Sequence, residues 1–479
     1  MTKRVFISVD HGLAVVYFLQ SDVVPELIRQ GVEVVVLTDD DLVDRIQERF
    51  GQPGLTVEGL RIDEANHYYN SYKNTLQFWV TFLRRTGASN RINLEAVTSY
   101  VRQVGVEAED LREVAFPLML PVVWLMQRSK LARQWLVKFQ RRFTPGIYAD
   151  LFEKYQPDLV LASTPGWRID RYLLREAAAR GVPTASVIVG WDNSSSYSLP
   201  GADMDWITCW SELQKEELVQ GSDWEPEQVL IGGIPSYDGY ITEKWLIDRE
   251  DYFKQHNLDP DRKLIAYASS FITFSPNIQN IQALAELIEE GRLVQPTQLL
   301  IRLHPNHFLD VPRFASEREQ VYQLVEKYEH VHVVEPVALG GSLGHYSGED
   351  MPEKTSMMAY SDLFVTVYST MAVEASVHDR PVIALCIDAD EPWQEKFYLP
   401  LSKISGWPTH DRFTKSQAGR VAYSKDELCD HLNHYLADPQ ADLEARRKFI
   451  EEECTFTDGS AGKRTAENIL TMLEKGHYR

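Results

Sequence analysis

Short apolar runs alternate with longer helical patterns along the first half of this chain. The runs lie at residues 5–9, 32–37, 158–162, 184–189, 206–209 and 229–231, and polar residues or glycine close each of them. Residues 22–30, between the first two runs, have helical spacing. Such alternation is what a parallel sheet with crossover helices requires. The first half therefore predicts a doubly wound sheet that opens with a β-α-β unit.

A second series of apolar runs follows a charged stretch at residues 248–262, which has no strand-like run and which we interpret as a domain linker. These runs lie at residues 264–268, 298–303, 331–334, 363–366 and 381–385. We expect an α/β chain of two tandem Rossmann-like domains, residues 1–245 and 246–479. In open parallel sheets ligands bind beyond the carboxyl ends of the strands, so the residues after each run are the first place to look for a site.

Composition supports two globular domains and excludes several classes of protein. A chain of 479 residues exceeds what one core usually spans. The net charge of −21 disfavours a nucleic-acid partner. The four cysteines are widely spaced, which predicts neither a zinc site nor a disulfide framework and favours a reducing cytoplasm. No apolar stretch has the length of a signal peptide or a membrane span.

One segment departs from this acidic average. An apolar stretch at residues 116–126 is followed by six basic residues, Arg128, Lys130, Arg133, Lys138, Arg141 and Arg142. A basic amphipathic helix with Trp135 and Phe139 among its apolar residues would lie in the headgroup layer of an anionic membrane. The alternative is a helix whose apolar stripe packs on the N-terminal sheet. Peripheral membrane contact through residues 117–142 is therefore one of two interpretations.

The segment at residues 361–375 predicts a strand, a hydroxyl-rich turn and a helix. Ser369 and Thr370 would lie at the helix N-terminus, where backbone N–H groups and the helix dipole attract a phosphate. Glu374, about one turn further on, would accept hydrogen bonds from both hydroxyls of a ribose. A plain serine cap beside a structural glutamate would give the same pattern.

The buried run at residues 298–303 ends in charged and imidazole groups. Arg302 and His304 are two residues apart and would point to the same side of the strand, where they could bind a diphosphate. Pro305 stops the strand, and Asn306 follows it. A structural histidine is the alternative. With the Ser369 turn in the same sheet, the pattern predicts a cationic, hydroxyl-rich phosphate site.

Candidate catalytic groups follow the strands of the first half. Asp10 and His11 come directly after the first run, and an imidazole with a pKa near 6.5 is suited to take a proton from an attacking hydroxyl. Asp10 would orient the ring. Asp192 is the competing base, with Trp191 as a stacking platform for a sugar. A capping Asp10 and a solvated His11 are the alternative.

These segments resemble a known family. The His304-Pro305-Asn306 strand end, the Tyr368-Ser369-Thr370 turn with Glu374, and residues 379–383 are similar to the donor-binding domain of GT-B glycosyltransferases. The nearest branch holds the CDP-glycerol glycerophosphotransferases and the hydrolysing UDP-sugar 2-epimerases. The turn begins with Val367, where glycerophosphotransferases usually have Asp, which argues against a glycerol-phosphate donor.

The resemblance, over residues 180–465, implies a GT-B fold of two Rossmann-like domains with an interdomain cleft and a last helix, near residues 466–475, that packs back on the first domain. It places the nucleotide base near residues 334–336, which include Glu335. It also implies that the donor phosphates meet Ser269, Ser270, His304, Ser369 and Thr370.

No metal or cofactor is expected. Residues 39–41 read Asp-Asp-Asp and residues 388–390 read Asp-Ala-Asp, but we interpret both as solvated loops, because GT-B-like transferases stabilise a leaving diphosphate with helix dipoles and cationic donors. The chain has neither a Gly-x-Gly-x-x-Gly after the first run nor a Walker A motif, which argues against a dehydrogenase or an ATPase.

The sequence thus predicts a metal-independent glycosyltransferase. It would move a sugar from a nucleotide-diphosphate donor to a hydroxyl of a glycan or lipid-linked acceptor, in the cytoplasm or at the inner face of the membrane. The alternatives are a CDP-glycerol-type polyol-phosphate transferase of the same fold and a non-catalytic GT-B protein that binds glycans or acts as a scaffold.

Overall fold

The computed structural model describes residues 2–88, 92–196, 198–269, 276–337, 347–390, 397 and 399–478. These residues divide into two units. The first holds residues 2–238 and 453–478, and the second holds residues 239–337 and 347–452. The division after Asp238 precedes the boundary expected at residue 245, and the C-terminal segment belongs to the first unit.

The sheet of the first unit has seven parallel strands in the order β3-β2-β1-β4-β5-β6-β7. They are β1 (Arg4–Val9), β2 (Glu33–Thr38), β3 (Leu55–Gly59), β4 (Leu159–Ala162), β5 (Thr184–Val187), β6 (Trp206–Cys209) and β7 (Val229–Ile231). The apolar runs predicted every strand except β3. This edge strand has one neighbour and an exposed Thr56, so it lacks a continuous apolar run.

Helices connect these strands and add a helical layer between β3 and β4. They are α1 (Gly12–Ala14), α2 (Val23–Arg29), α3 (Val43–Phe50), α4 (Ile62–Ser71), α5 (Asn74–Thr86), α6 (Leu94–Glu107), α7 (Leu111–Arg128), α8 (Lys130–Phe139), α9 (Ala149–Tyr155), α10 (Arg171–Ala179), α11 (Asn193–Ser196) and α12 (Glu212–Ser222). The short helix α13 (Asp238–Ile241) follows β7, where the chain passes to the second unit. A π-helix, Val15–Gln20, follows α1.

The second unit repeats the architecture with six parallel strands in the order β10-β9-β8-β11-β12-β13. They are β8 (Lys263–Ala268), β9 (Thr297–Arg302), β10 (Val331–Val334), β11 (Leu363–Thr366), β12 (Val382–Leu385) and β13 (Arg420–Ala422). Only β13 was not predicted, because its segment begins with the charged Arg420 and carries no continuous apolar run.

The helices in this part of the chain are α14 (Arg249–Gln255), α15 (Ile278–Glu289), α16 (Pro312–Lys327), α17 (Met351–Tyr360), α18 (Thr370–Val377), α19 (Leu401–Ile404), α20 (Pro408–Ser416), α21 (Lys425–Ala437) and α22 (Leu443–Cys454). Helix α14 lies inside the stretch interpreted as a linker, so that interpretation was wrong. Asp248 caps it by accepting hydrogen bonds from two backbone N–H groups, and Tyr252 and Phe253 are buried.

The last helix, α23 (Ala461–Lys475), packs in the first unit. Its Ile469 and Met472 are fully buried in the same core as Ile7 and Leu27. The indole N–H of Trp206 donates to the carbonyl of Gly476 at 2.7 Å. The amphipathic face of α23 is therefore part of the first core, although the chain reaches it only after the second unit.

The strand orders place two switch points. In the first sheet, β1 lies between β2 and β4, and in the second, β8 lies between β9 and β11. The crossovers leave such central strands in opposite directions, which opens a crevice beyond their carboxyl ends. Asp10 and His11 follow β1, and Ser269 follows β8, so the predicted site residues lie at these two points.

Candidate active site

The turn after β11 is built as a helix N-terminus. Ser369 is the N-cap of α18, and its Oγ accepts a hydrogen bond from the N–H of Met371 at 3.2 Å. The hydroxyl of Thr366 donates to the carbonyl of Ala268 at 3.0 Å and lies 3.3 Å from Ser369 Oγ. Ser369 and Thr370 are half-buried, so an anion can reach their end of the helix.

An aromatic stack supports this turn. The rings of Tyr368 and His410 are 4.2 Å apart and inclined by 14°, and the Tyr368 hydroxyl lies 2.9 Å from Thr414 Oγ1. Burial lowers the pKa of His410 to about 4, so the ring is neutral at pH 7. Its Nδ1–H donates to the carbonyl of Ile404 at 2.7 Å. Sequence reasoning missed His410, because nothing in the pattern of α20 indicates a partner on the distant Ser369 turn.

The serines predicted after β8 are only partly described. The N–H of Ser269 donates to the carbonyl of Arg302 at 3.0 Å. Ser269 is 7% exposed, and its buried hydroxyl has no hydrogen-bond partner among the described residues, so this hydroxyl is available as a donor at the switch point. Ser270 lies outside the described residues.

His304 caps a 3₁₀ turn, Pro305–Phe308, at the end of β9. Its Nδ1 accepts a hydrogen bond from the N–H of Asn306 at 3.1 Å, so the neutral ring carries its proton on Nε2 and acts as a donor there. The side chain of Asn306 is half-buried.

The same turn is anchored by a pair of residues that sequence reasoning missed. His307 is buried, and its Nε2 lies 2.8 Å from a carboxylate oxygen of Glu317. The other oxygen of Glu317 accepts the N–H of Ile278, the first residue of α15, at 2.9 Å. The spacing of His304 and His307 could have indicated a reciprocal cap, but Glu317 is brought to the turn only by the packing of α16.

Arg302 does not lie where the sequence predicted. Its side chain is 5% exposed, and its guanidinium pairs with the carboxylates of Asp350 and Glu353, at the start of α17. Glu353 also accepts a hydrogen bond from Tyr252 at 3.1 Å. A cation buried at a strand end requires counter-charges, and α17 supplies two of them. The charge of Arg302 is therefore balanced inside the second unit by two carboxylates.

Glu374 and Glu335, the two carboxylates that the sequence predicted for the donor site, differ in exposure. Glu374 is 4% exposed, pairs with Lys354 at 2.5 Å, and accepts a hydrogen bond from the hydroxyl of Tyr240 at 2.6 Å. Glu335 is exposed and accepts a hydrogen bond from Tyr322. The position expected to bind a ribose thus holds a carboxylate that is already neutralised, while Glu335 remains accessible.

In the first unit, Asp10 is not bonded to His11. Its carboxylate is buried and accepts hydrogen bonds from the hydroxyl of Ser163 at 2.5 Å and from Nε of Arg168 at 2.9 Å. Burial alone would raise the pKa of Asp10, but the electrostatic interactions with the neighbouring His11 imidazole and with the charge of Arg168, together with the hydrogen bonds from Ser163 and Arg168, hold it below its usual value. Asp10 therefore fixes Arg168, which the sequence did not single out.

His11 is the N-cap of α1, and its Nδ1 accepts a hydrogen bond from the N–H of Ala14 at 3.0 Å. Burial lowers the pKa of His11, which keeps the ring neutral. The proton of the neutral ring then lies on Nε2. In this conformation the imidazole offers a hydrogen-bond donor, and it would have to give up its cap contact to accept a proton.

Asp192 directly precedes the short helix α11, which follows β5, and burial raises the pKa of its carboxyl. The side chain is half-buried. Trp191 is not a stacking platform, because it is 1% exposed and its indole N–H donates to Glu453 at 2.9 Å. Since β4 lies between β1 and β5, the residues after these three strands share one edge of the sheet. His11, Arg168 and Asp192 all lie there.

The acidic segments at residues 39–41 and 388–390 accept hydrogen bonds from backbone N–H groups of later segments. Asp40 accepts a hydrogen bond from the N–H of Ile62 at 2.9 Å, and Asp388 accepts one from Ser402 at 3.0 Å. Within the described ranges, no three His, Cys, Asp or Glu side chains lie together in a way that could hold a metal ion.

Helices α7 and α8 carry a large exposed apolar surface. Its members are Leu111, Val114, Leu118, Leu120, Trp124, Leu125, Leu131 and Trp135, each between 42% and 78% exposed. We call these eight residues the apolar face. The opposite side of α7 packs on α5 through residues such as Val123. Neither interpretation of the sequence anticipated that one helix would have both a packed and a bare apolar side.

The basic residues of this segment fall into two groups. Arg133 is buried against Asp223, Lys130 pairs with Glu225, and Arg141 pairs with Asp203. Arg128, Lys138 and Arg142 have no ion pair within the described ranges. In the part of the chain that the structure describes, no helix has the length and apolarity needed to cross a bilayer.

Comparisons with known proteins agree with this architecture. The family described as CDP-glycerol:poly(glycerophosphate) glycerophosphotransferase matches residues 203–471, more than half of the chain. The teichoic acid ribitol-phosphate primase of Bacillus spizizenii is 22% identical over 256 residues, which are 53% of this chain and 55% of the primase. The chain thus matches about half the length of this curated relative.

Solved structures share the fold. The UDP-GlcNAc 2-epimerase of Neisseria meningitidis, bound to UDP-GlcNAc, superposes with a TM-score of 0.55 at 14% identity, covering 98% of this chain and 100% of that one. The calicheamicin glycosyltransferase CalG4 gives a TM-score of 0.51 at 11% identity, with 99% of each chain covered. The predicted GT-B fold is confirmed.

Proposed function

Because the chain belongs to the CDP-glycerol:poly(glycerophosphate) glycerophosphotransferase family, we propose that it transfers a polyol phosphate from a CDP-linked donor to a hydroxyl of an acceptor. The matched region contains the Ser369 turn, and this accessible helix N-terminus is the observation that carries the proposal. The alternative named from the sequence thereby becomes the main hypothesis. A nucleotide-sugar donor is the second candidate, favoured by Val367 at the start of the turn.

In the proposed reaction the acceptor oxygen attacks the phosphorus that carries the polyol. A new O–P bond forms, the bond from that phosphorus to the bridging oxygen breaks, and CMP leaves. Charge develops on the leaving phosphate, and the donors that would stabilise it are Ser269 Oγ, His304 Nε2–H and the N-terminus of α18. The proton of the acceptor hydroxyl passes to a carboxylate or an imidazole of the first unit.

We propose Asp192 as that base and His11 as a hydrogen-bond donor to the acceptor. Burial raises the pKa of Asp192, which makes its carboxylate a stronger base, whereas the Nδ1 lone pair of His11 is already used by Ala14. This reverses the order of preference that the sequence suggested.

The first testable consequence concerns the donor. CDP should raise the melting temperature more than UDP does, because ligand binding to the folded state stabilises it, and EDTA should leave this shift unchanged. Ser369→Ala and His304→Ala should each remove most of the shift. Differential scanning fluorimetry with a nucleotide panel measures it.

The matched control is Ser424→Ala, since Ser424 is likewise the N-cap of a helix of the same unit, α21, and its hydroxyl accepts a hydrogen bond from the N–H of Glu427 at 3.2 Å. It should lower the melting temperature without reducing the CDP shift. A larger shift with UDP would favour the nucleotide-sugar donor. If no nucleotide stabilises the protein, the donor site is wrong and the non-catalytic alternative gains support.

We further propose that the acceptor is lipid-linked and that the apolar face rests on an anionic membrane at the inner side of the cell envelope. Trp124 and Trp135 are 57% and 62% exposed, and bulky aromatic side chains prefer the interfacial layer of a bilayer. The guanidinium of Arg128 lies 4.4 Å from the ring of Trp124, where it can contact both the ring and a lipid phosphate.

In liposome flotation, the protein should float with vesicles that contain phosphatidylglycerol, and a Trp124→Ser/Trp135→Ser variant should stay at the bottom. Val294→Ser is the control, because Val294 is 60% exposed in the second unit, outside the apolar face. Equal flotation of the double variant and the control would exclude the apolar face as the membrane contact.

A further inference from the structure

The loop between β4 and α10 is held rigidly at the edge of the first sheet. The carboxyl group of Asp170, which is fully buried, accepts hydrogen bonds from the N–H and hydroxyl of Thr164 at 3.1 and 2.6 Å and from the N–H of Arg168 at 3.2 Å. Gly166 has φ +72°, and a Cβ on Gly201 would lie 1.8 Å from the Gly166 carbonyl. The buried Asp170 carboxyl group and the close Gly166–Gly201 contact therefore hold the loop in this conformation.

The guanidinium of Arg168, a residue of this loop, makes only part of the hydrogen bonds that it could make with the described residues. Its Nε donates to Asp10, whose side chain is fully buried, while the Arg168 side chain is 39% exposed. Its two terminal nitrogens have no partner among the described residues. Neutralising Asp10 explains the contact of Nε, but it does not explain why the rest of a rigid five-donor fork remains open at the sheet edge.

Arg171 adds a second positive charge three residues on, within the same turn. Its guanidinium lies 5.5 Å from the ring of Tyr69 and 5.1 Å from that of Tyr172, and no carboxylate pairs with it within the described ranges. Behind it, Arg175 is buried and bonded to carbonyl-type oxygens only, Gly201 O, Phe143 O and Gln140 Oε1. Burial, and then the charge of Arg171, lower the pKa of Arg175 to about 9.

This concentration of positive charge is unusual in a chain of net charge −21. Residues 168–175 hold three arginines, and within the described ranges only Arg168 has a carboxylate partner, Asp10. The strand order places the loop that carries Arg168 at the same edge of the sheet as His11 and Asp192. We infer that Arg168 and Arg171 form a binding site for a phosphate group of the acceptor. The inference rests on the proposed function, which it deepens: the acceptor would be recognised through a phosphate near its attacking hydroxyl, and a neutral glycan would be a poor substrate.

The test is phosphate binding to the full chain in the presence of saturating CDP, measured by isothermal titration at constant ionic strength. Arg171→Gln and Arg168→Gln should each weaken the affinity for inorganic phosphate by about 10-fold or more, as expected for a charge-assisted hydrogen bond. Arg29→Gln is the control. It removes a charge of the first unit that is 69% exposed, and it should change the affinity by less than about 2-fold because such charges are screened.

Arg168→Gln leaves the buried Asp10 without its ion pair and could unfold the loop. If the loop unfolds, the phosphate affinity of Arg171→Gln alone tests the inference. Wild-type phosphate affinity in Arg171→Gln would overturn the inference. The CDP shift should be normal in both variants, which separates this site from the donor site. If CDP binds to no variant, the proposed function fails. Phosphate titration of Ser369→Ala, the variant expected to lose CDP binding, then still tests whether Arg168 and Arg171 bind phosphate.

Discussion

Asp192→Asn is expected to lower kcat by a factor of about 10² to 10⁴, the usual contribution of a general base, while the CDP-induced melting shift stays at its wild-type size. The amide has nearly the shape of the carboxyl but cannot take the proton of the acceptor hydroxyl. Release of CMP under single-turnover conditions measures this step without interference from product release.

The pH profile gives a second readout for the same residue. Burial raises the pKa of Asp192, and only its ionised form can accept a proton. The rate should therefore fall as the pH drops through this raised pKa, at a pH above the ordinary range of an aspartate, and this acid limb should be absent from Asp192→Asn.

His11→Gln is the comparison variant, because a glutamine oxygen can still accept the hydrogen bond of Ala14. Its kcat should fall less than that of Asp192→Asn. If His11→Gln removes turnover and Asp192→Asn retains it, His11 is the base, as the sequence first suggested, and the ring must leave its cap contact during the reaction.

Arg302→Met should destabilise the second unit by about 3–5 kcal/mol, the range for breaking a buried ion pair by removing one partner. Asp350 and Glu353, both from the start of α17, would be left as neighbouring carboxylates that are buried without a counter-charge. Urea unfolding, followed by hydrogen exchange of peptides from β9 and α17, assigns the loss to this unit.

The loss should also depend on pH. Burial raises the pKa of Glu353, with Arg302 opposing, so removing Arg302 raises it further. A carboxyl whose pKa is higher in the folded state binds a proton on folding, which favours the folded state as the pH falls. The deficit of Arg302→Met should thus be smaller at pH 5 than at pH 8.

Arg447→Gln is the control for this prediction, since its ion pair with Asp379 is exposed on both sides, at 61% and 43%. Exposed pairs contribute about 0–1 kcal/mol, so its effect should be small and nearly independent of pH. Equal stability of Arg302→Met and Arg447→Gln would show that Arg302 does not hold α17, and its assignment to the donor site would have to be restored.

The sequence by itself determined the architecture and one half of the candidate site. Apolar runs located every strand with two neighbours, because such strands are buried on both faces and carry a continuous signal. The edge strands β7 and β10 were located as well, whereas the edge strands β3 and β13 carry no continuous apolar run. Ser369 at the N-cap of α18 was predicted correctly, since a cap is a local feature that depends on the residues next to it.

Tertiary structure decided what each charged side chain faces. Arg302 and Glu374 have the residue types of a nucleotide site, but other side chains neutralise them. These are Asp350, the N-cap of α17, and Glu353 and Lys354 in its first turn. The carboxylate of Asp10 accepts a hydrogen bond from Arg168, a residue 158 positions away in the sequence. The charge that a group presents to a ligand depends on partners that the fold brings from distant parts of the chain, and local spacing does not carry that information.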